Sequence, residues 1–245
     1  MEDQTEKRLR ELANRSWNRG IPCYTDFLDL SGQTVLQRIR KTLPPAEMRL
    51  FGGAAGCERK IAGFGAAEEA EFPIACLRIV PAGPAFAEKL THRDFLGALM
   101  NLGFERSLLG DIVLREGTAW LFCVRRIAPF IEENLFTVGK TPVRCGEASA
   151  PPEGELFRTE RRVVQVLSER ADALVAHVFH LSRGDARELF SAGKVFLDGA
   201  ECASPDALPK PGQIVSVRGM GRFRFLGADT VSKKGKLNSV IEMYI

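Results

Sequence analysis

The sequence predicts an α+β protein in three parts: an N-terminal helical segment, a middle α+β domain, and a C-terminal αα-hairpin with a small β-sheet. Apolar residues recur at helical spacing near the N-terminus, the middle alternates strand and helix patterns, and two helix patterns near the C-terminus precede short strands joined by glycine turns. The expected domains are 1–70, mostly helical, then 71–168 and 169–245. With 245 residues and 45% hydrophobic content, the chain can form real cores.

The N-terminal part contains two helix patterns. The first has an apolar face formed by Leu9, Leu12, Ala13 and Trp17. The second is expected to begin at Ser31 and to end before Pro44, because proline cannot continue a helix. The glycine-rich segment 51–56 follows and is expected to be flexible. It is not a phosphate loop, because it lacks the G-K-[ST] ending.

The middle part follows the order strand, helix, strand, strand, helix, strand. The predicted elements are a strand over Pro73–Val80, a helix over Leu90–Leu102, hairpin strands over Asp111–Leu114 and Ala119–Val124, a helix over Ile127–Leu135, and a last strand at either Val143 or Val163–Val166. This order indicates a ferredoxin-like sandwich, which many RNA-recognition modules share. The aromatic pair that such modules use to stack bases is not evident, so the topology alone does not predict binding.

The C-terminal part begins with two helix patterns. The first covers Ala171–His180, and the second opens with a capping box formed by Ser182 and Asp185 and ends before Gly193. Strand patterns follow at Val195–Leu197 and Ile214–Val217. Their turns are Asp198-Gly199 and Pro211-Gly212, of which the first is a strong hairpin signal.

Positive charge is concentrated in this last part. Residues 158–245 hold 14 basic and 10 acidic side chains, and residues 210–236 hold one acid, Asp229, against seven bases. The seven bases are Lys210, Arg218, Arg222, Arg224, Lys233, Lys234 and Lys236. A solvated basic face is the more common origin of such a run. Binding of a polyanion is the alternative.

Arg183 and Arg187 support the second interpretation. They lie one turn apart on the second predicted helix, where two like charges cost about 0.2–0.5 kcal/mol. Folding is expected to gain nothing from this pairing, and a polyanion crossing the face would relieve it. Glycines 219 and 221, between Arg218 and Arg222, either let the backbone approach a phosphate or form a tight turn.

Other kinds of chemistry find little support in the sequence. No two of the six cysteines lie within four residues of each other, so zinc knuckles and C-x-x-C pairs are absent, and neither a metal nor a cofactor is expected. The H-R-D run at 92–94 resembles the start of a kinase catalytic loop, but Leu99 occupies the asparagine position. We expect Asp94 to cap a helix.

The longest apolar run, Ala119–Val124, is too short to span a membrane, and the first residues show no signal peptide, so a cytoplasmic protein is expected.

Two sets of motifs carry a family resemblance. The first set is Arg170-Ala171-Asp172, Leu181-Ser182-Arg183-Gly184-Asp185-Ala186, Gly193-Lys194-Val195, Asp198-Gly199 and Pro211-Gly212-Gln213-Ile214. It resembles the RNA-binding module first seen in small-subunit ribosomal protein S-four. The second set is Phe51-Gly52-Gly53, Glu58-Arg59-Lys60, His92-Arg93-Asp94-Phe95-Leu96-Gly97, Gly110-Asp111-Ile112 and Arg218-Gly219-Met220-Gly221-Arg222-Phe223. Over residues 45–245 the chain resembles the YlmH family of bacterial proteins.

The resemblance implies a non-enzymatic, ribosome-associated factor. It would bind rRNA of the large subunit, with tRNA as a further contact left open, and help recycle stalled complexes that carry peptidyl-tRNA. The expected RNA-binding residues are Ser182, Arg183, Arg187, Lys194, Lys210, Arg218, Arg222, Lys233 and Lys234. Two alternatives stay open: an accessory to an RNA-modifying enzyme, and a cell-division-linked scaffold whose basic patch is only a soluble surface.

Overall fold

The structure is a computed structural model that describes residues 4–65, 68–83, 90–148, 151, 156–232 and 235–245. Over these residues the protein is a mixed α/β fold with six α-helices and three antiparallel sheets. The chain divides into two compact units, Met1–Leu156 and Phe157–Ile245. This division differs from the expected boundaries at residues 70 and 168.

The N-terminal unit contains four helices and eight strands among the described residues. The helices are α1 (Gln4–Arg19), α2 (Leu30–Ile39), α3 (His92–Met100) and α4 (Ala128–Asn134). The strands are β1 (Cys23–Leu28), β2 (Met48–Phe51), β3 (Lys60–Phe64), β4 (Ile74–Pro81), β5 (Leu109–Arg115), β6 (Thr118–Val124), β7 (Thr137–Val138) and β8 (Thr141–Ala148).

The region expected to be mostly helical also contains a sheet. Strands β1, β3 and β2 pair in that order, and α1 and α2 share a core with them. Trp17, expected on the buried face of α1, is 54% exposed, so that expectation is wrong. The buried face of α1 instead ends at Ser16, whose hydroxyl donates to the Phe64 carbonyl at 2.9 Å. Helix α2 begins after Asp29, whose carboxylate accepts the Gly32 N–H at 2.8 Å, rather than at Ser31.

The middle region follows the predicted strand and helix order. The sheet order is β5-β6-β4-β8-β7, with α3 connecting β4 to β5 and α4 following β6. Val143 lies in β8, which pairs with β4, so it belongs to the closing strand. The alternative, Val163–Val166, is wrong, because that segment pairs with the last strand of the C-terminal unit. Glu116 and Gly117 both have positive φ, as the predicted hairpin turn requires.

Both faces of this middle sheet are buried. One face packs against α3 and α4 around Leu77, Phe95 and Ile131. The other face carries Trp120 and Phe122, which are 7% and 1% exposed and pack with residues of the preceding strands and loops. The segment 51–56, expected to be flexible, packs against this face. A Cβ on Gly53 would lie 2.3 Å from the Phe122 ring, so only glycine fits there.

The C-terminal unit contains two helices and six strands among the described residues. They are β9 (Thr159–Val166), α5 (Ala171–Val178), α6 (Arg183–Ser191), β10 (Val195–Leu197), β11 (Ala200–Glu201), β12 (Ile214–Val217), β13 (Gly221–Val231) and β14 (Leu237–Tyr244). The sheet order is β11-β10-β12-β13-β14-β9. Both helices share a core with one face of this sheet, around Val175, Phe190 and Phe223. Asp198 and Gly199 have φ values of 46° and 77°, so they form the predicted two-residue turn.

Candidate nucleic-acid interface

A buried carboxylate orients the two arginines of α6. The helix begins after Ser182, whose hydroxyl accepts the Asp185 N–H at 3.1 Å, as the capping pattern predicts. Asp172 in the first turn of α5 is fully buried, and its Oδ2 accepts from Arg183 Nε at 3.4 Å and from Arg187 Nη1 at 3.2 Å. The expectation that folding gains nothing from the arginine pair is therefore wrong, because Asp172 offsets their repulsion.

Two further residues complete the Asp172 cluster, which consists of Arg170, Asp172, Arg183, Arg187 and Asp206. Arg170 donates to both carboxylate oxygens of Asp172, at 3.2 and 3.1 Å, and also binds Asp206. Arg187 lies 3.7 Å from Asp206. Three guanidinium groups face two carboxylates, so the cluster keeps a net charge of +1.

The α6 arginines are held on one side and open to solvent on the other. Their side chains are 57% exposed for Arg183 and 48% exposed for Arg187, although each donates to a carboxylate that is completely buried. An arginine held this way loses less side-chain freedom when it binds a phosphate. The cluster is thus suited to binding an anion. Sequence reasoning missed Arg170 as a site residue, although the Arg170-Ala171-Asp172 motif contains it.

A second group of basic residues surrounds the β12–β13 turn. Lys194 is exposed, and the Arg218 backbone N–H donates to its carbonyl at 2.8 Å, so the two residues are neighbours. Gly219 and Gly221 have φ values of 87° and 136°, which confirms the tight turn.

The arginines of this second group stack on aromatic rings. The Arg218 guanidinium lies 5.1 Å from the Phe196 ring centre, and Arg222 lies 4.3 Å from that of Tyr244 and 5.5 Å from that of Phe157. These are cation–π distances. Sequence reasoning missed the three aromatic residues, because they are distant along the chain and only the strand register brings them to the arginines.

Lys210 lies at the opposite end of β12 from Arg218. It precedes the strand, whereas Arg218 follows it, and the four strand residues span about 13 Å. Lys233 and Lys234 lie outside the described residues.

Two arginines of the N-terminal unit are used differently. Arg59 donates to the backbone carbonyls of Leu109, Phe27 and Arg106 at 2.9–3.2 Å, and Arg106 donates to those of Leu109 and Gly110. Burial lowers the pKa of Arg106 to about 10 and also lowers that of Arg59. The nearby Asp111 carboxylate accepts the Glu58 and Arg59 backbone N–H groups, and burial raises its pKa. This buried network stabilises the unit rather than binding a ligand.

Asp94, the last residue of the H-R-D run, has a structural role. The Asp94 carboxylate accepts the Thr91 backbone N–H at 2.8 Å and its hydroxyl at 2.7 Å, so it caps α3 as expected. These hydrogen bonds from Thr91 lower the pKa of Asp94. Over the described part of the chain, no three His, Cys, Asp or Glu side chains come together as a metal site.

Comparisons with known proteins show what this chain is similar to. A family model described as "Putative RNA-binding domain in YlmH" matches residues 67–151. The chain is therefore similar to proteins of the YlmH family. It is 28% identical over 226 residues to the "Ribosome-associated protein quality control protein P2" of Bacillus subtilis, and the match covers 89% of this chain and 86% of that relative.

One solved structure is also similar to this chain. It is the cell division protein ylmH from Streptococcus pneumoniae, at 22% identity and a TM-score of 0.49, and the match covers 59% of this chain and 88% of that one. None of the helices in the described part of the chain is long and apolar enough to cross a membrane.

Proposed function

We propose that this chain is a non-enzymatic, ribosome-associated RNA-binding factor that contacts rRNA through its C-terminal unit. The observation that carries the proposal is the Asp172 cluster, in which a buried carboxylate holds Arg183 and Arg187 while their side chains stay about half exposed. The name of the Bacillus subtilis relative, which describes a ribosome-associated protein, supports the same partner.

We assign the chain two modules. The C-terminal unit, with α5 and α6 beside its sheet, is an S-four-type RNA-binding module, and β4–β8 with α3 and α4 form a ferredoxin-like domain. The strand order and connectivity support both assignments. RNA-recognition domains of the ferredoxin-like class stack bases on the sheet face opposite the helices. Trp120 and Phe122 are buried on that face here, so we assign the main RNA contacts to the C-terminal unit.

The expected binding mode is electrostatic. Arg183, Arg187, Lys194, Arg218 and Arg222 would contact phosphates, and arginine suits this role because its planar guanidinium can donate two parallel hydrogen bonds to one phosphate. Each neutralised phosphate releases counterions, so affinity should fall steeply as salt is raised. Ser182, Lys210, Lys233 and Lys234 remain proposed RNA contacts.

We further propose that the factor acts in the cytoplasm on stalled large subunits that carry peptidyl-tRNA. The words "quality control" in the relative's name support this finer role. Its contribution would be steric and electrostatic, because the only chemistry it requires is recognition of folded RNA. A contact with tRNA would explain a preference for subunits that carry peptidyl-tRNA.

The test is cosedimentation of the full chain with purified bacterial large ribosomal subunits. The double variant Arg183→Ala with Arg187→Ala should lose most of its cosedimentation while keeping its circular dichroism spectrum. The matched control is Arg8→Ala with Arg15→Ala, which removes the same charge from exposed positions of α1 and should bind like the wild type. Equal loss in both variants, or none in either, would contradict the assignment.

The finer role has its own test, a comparison of empty large subunits with large subunits that carry peptidyl-tRNA. The role requires tighter binding to the subunits that carry peptidyl-tRNA.

A further inference from the structure

The C-terminal sheet has a second face, opposite α5 and α6. Residues directly opposite each other in antiparallel strands point to the same side of a sheet. Val195, Val217 and Phe223 lie in the core with the helices, so their strand neighbours Phe196, Ser216 and Arg222 point to the other face. The register places Phe196 opposite Ser216, and Ser216 opposite Arg222. These three residues therefore form one row across the sheet.

A second row runs beside the first. Arg224 pairs with Glu242 across β13 and β14, and Glu242 pairs with Arg161 of β9. Arg161 is exposed, and the next residue of β9 on this side, Val163, is 61% exposed, so this edge of the face is open to solvent. We name the arginine–aromatic face by its residues: Phe157, Arg161, Phe196, Arg218, Arg222, Arg224 and Tyr244.

The rings and guanidinium groups of this face are stacked. Arg218 lies 5.1 Å from the Phe196 ring centre. Arg222 lies 4.3 Å from the Tyr244 ring centre and 5.5 Å from that of Phe157, and the two rings are 6.0 Å apart. The Tyr244 hydroxyl accepts from Arg224 at 2.9 Å, which fixes the ring. The face therefore offers two stacked groups, one at Phe196 and one at Tyr244, separated by three strand spacings or about 14 Å.

The charge of this face is positive. The two rows and the adjoining β12–β13 turn contain four arginines, at 161, 218, 222 and 224. The carboxylates on the same side are Glu242, which pairs with Arg224 at 3.2 Å, and Glu201, which lies opposite Phe196. Four positive and two negative charges leave a net charge of +2, which favours an anionic ligand.

We propose that the arginine–aromatic face binds unpaired nucleotides of RNA by stacking their bases on the Phe196–Arg218 and Tyr244–Arg222 groups. The inference rests on the proposed RNA-binding function and gives the part of that surface around Arg218 and Arg222 a specificity of its own. Flat aromatic rings and guanidinium planes stack on bases that are not paired, whereas bases inside a duplex present no free face. The surrounding arginines would contact the phosphates that connect those bases.

The test compares two RNAs with the full-length protein: a perfectly paired hairpin, and the same hairpin with an oligoadenosine tail. The wild type should bind the tailed RNA more tightly, and the double variant Phe196→Leu with Tyr244→Leu should bind it about tenfold more weakly than the wild type does. Both proteins should bind the tailless hairpin equally. Arg222→Lys, which keeps the charge and loses the planar group, should reduce tail binding in the same direction. Trp17→Leu, at an exposed aromatic residue of α1, is the control and should change neither affinity.

Two outcomes would overturn the inference while leaving the proposed function intact. In one, the tail adds no affinity to the wild type. In the other, the leucine and lysine variants bind the tailed RNA as tightly as the wild type does, although the Arg183→Ala, Arg187→Ala variant binds neither RNA. The face would then bind a protein partner or only stabilise the sheet. If the wild type binds neither RNA, the proposed function fails together with the inference.

Discussion

The two units use arginine in opposite ways. In the N-terminal unit, the Arg59 and Arg106 side chains turn inward and donate to backbone carbonyls. In the C-terminal unit, Arg183 and Arg187 donate to the buried Asp172 but keep about half of their surface in solvent. The partner of an arginine and its remaining exposure therefore separate a structural role from a binding role.

The contrast also explains why net charge alone does not locate a site. A guanidinium group that donates to several backbone carbonyls has fewer N–H groups left for a ligand. A guanidinium group held at one edge by a carboxylate is oriented and still accessible. The predictions below test whether the two kinds of arginine respond differently to the same substitution.

The largest effect is expected for Arg59→Lys. The ammonium group keeps the charge but cannot reproduce the fork that reaches the carbonyls of Leu109, Phe27 and Arg106, so buried acceptors lose their donors. We expect the free energy of unfolding of the N-terminal unit to fall by about 3 kcal/mol, measured by urea denaturation. A loss below about 0.5 kcal/mol would contradict the structural role of Arg59.

Cysteine labelling gives a second measurement of the same change. Burial raises the pKa of Cys123 to about 12, so close to neutral pH its thiolate fraction is about a thousandfold below that of an ordinary thiol. Labelling of Cys123 by a thiol reagent therefore requires opening of the unit. Arg59→Lys should accelerate this labelling, whereas Arg183→Lys should leave its rate unchanged.

Most local elements could be predicted from the sequence, and the missed features are those that depend on distant residues. The turns at Glu116-Gly117 and Asp198-Gly199 and the cap at Ser182 each depend on a few consecutive residues. The pairing of β9 with β14 joins residues more than 70 positions apart, so no local pattern could assign Val163–Val166 to its sheet.

The candidate site shows the same limit. The sequence identified Arg183 and Arg187 as a pair, because they are one helical turn apart. It did not show that Asp172, on another helix, lies between them. The aromatic partners of Arg218 and Arg222 were missed for the same reason, since only the register of four strands brings them together.

A smaller effect is expected for Asp172→Asn. The carboxamide has the same shape but removes the buried negative charge that accepts from Arg170, Arg183 and Arg187. We expect the C-terminal unit to lose about 1–3 kcal/mol of unfolding free energy, measured by thermal or chemical denaturation. Asp206→Asn is the matched control at an exposed position, and it should cost less. If both substitutions cost the same, Asp172 would not be the residue that organises the cluster.

The smallest effect is expected for Arg183→Lys. This side chain is 57% exposed, and exposed ion pairs contribute about 0–1 kcal/mol. The unfolding free energy should change by less than about 0.5 kcal/mol, in contrast with the same substitution at Arg59. A loss as large as that of Arg59→Lys would show that the α6 arginines serve the fold rather than a ligand.

The salt dependence of rRNA binding tests the central claim most directly. The slope of log K against log salt concentration should be strongly negative for the wild type, and its magnitude should fall by about 1.8 in the Arg183→Ala, Arg187→Ala variant, because two phosphate contacts are lost. An unchanged slope in that variant, with folding intact, would contradict the claim that these two arginines bind the RNA backbone.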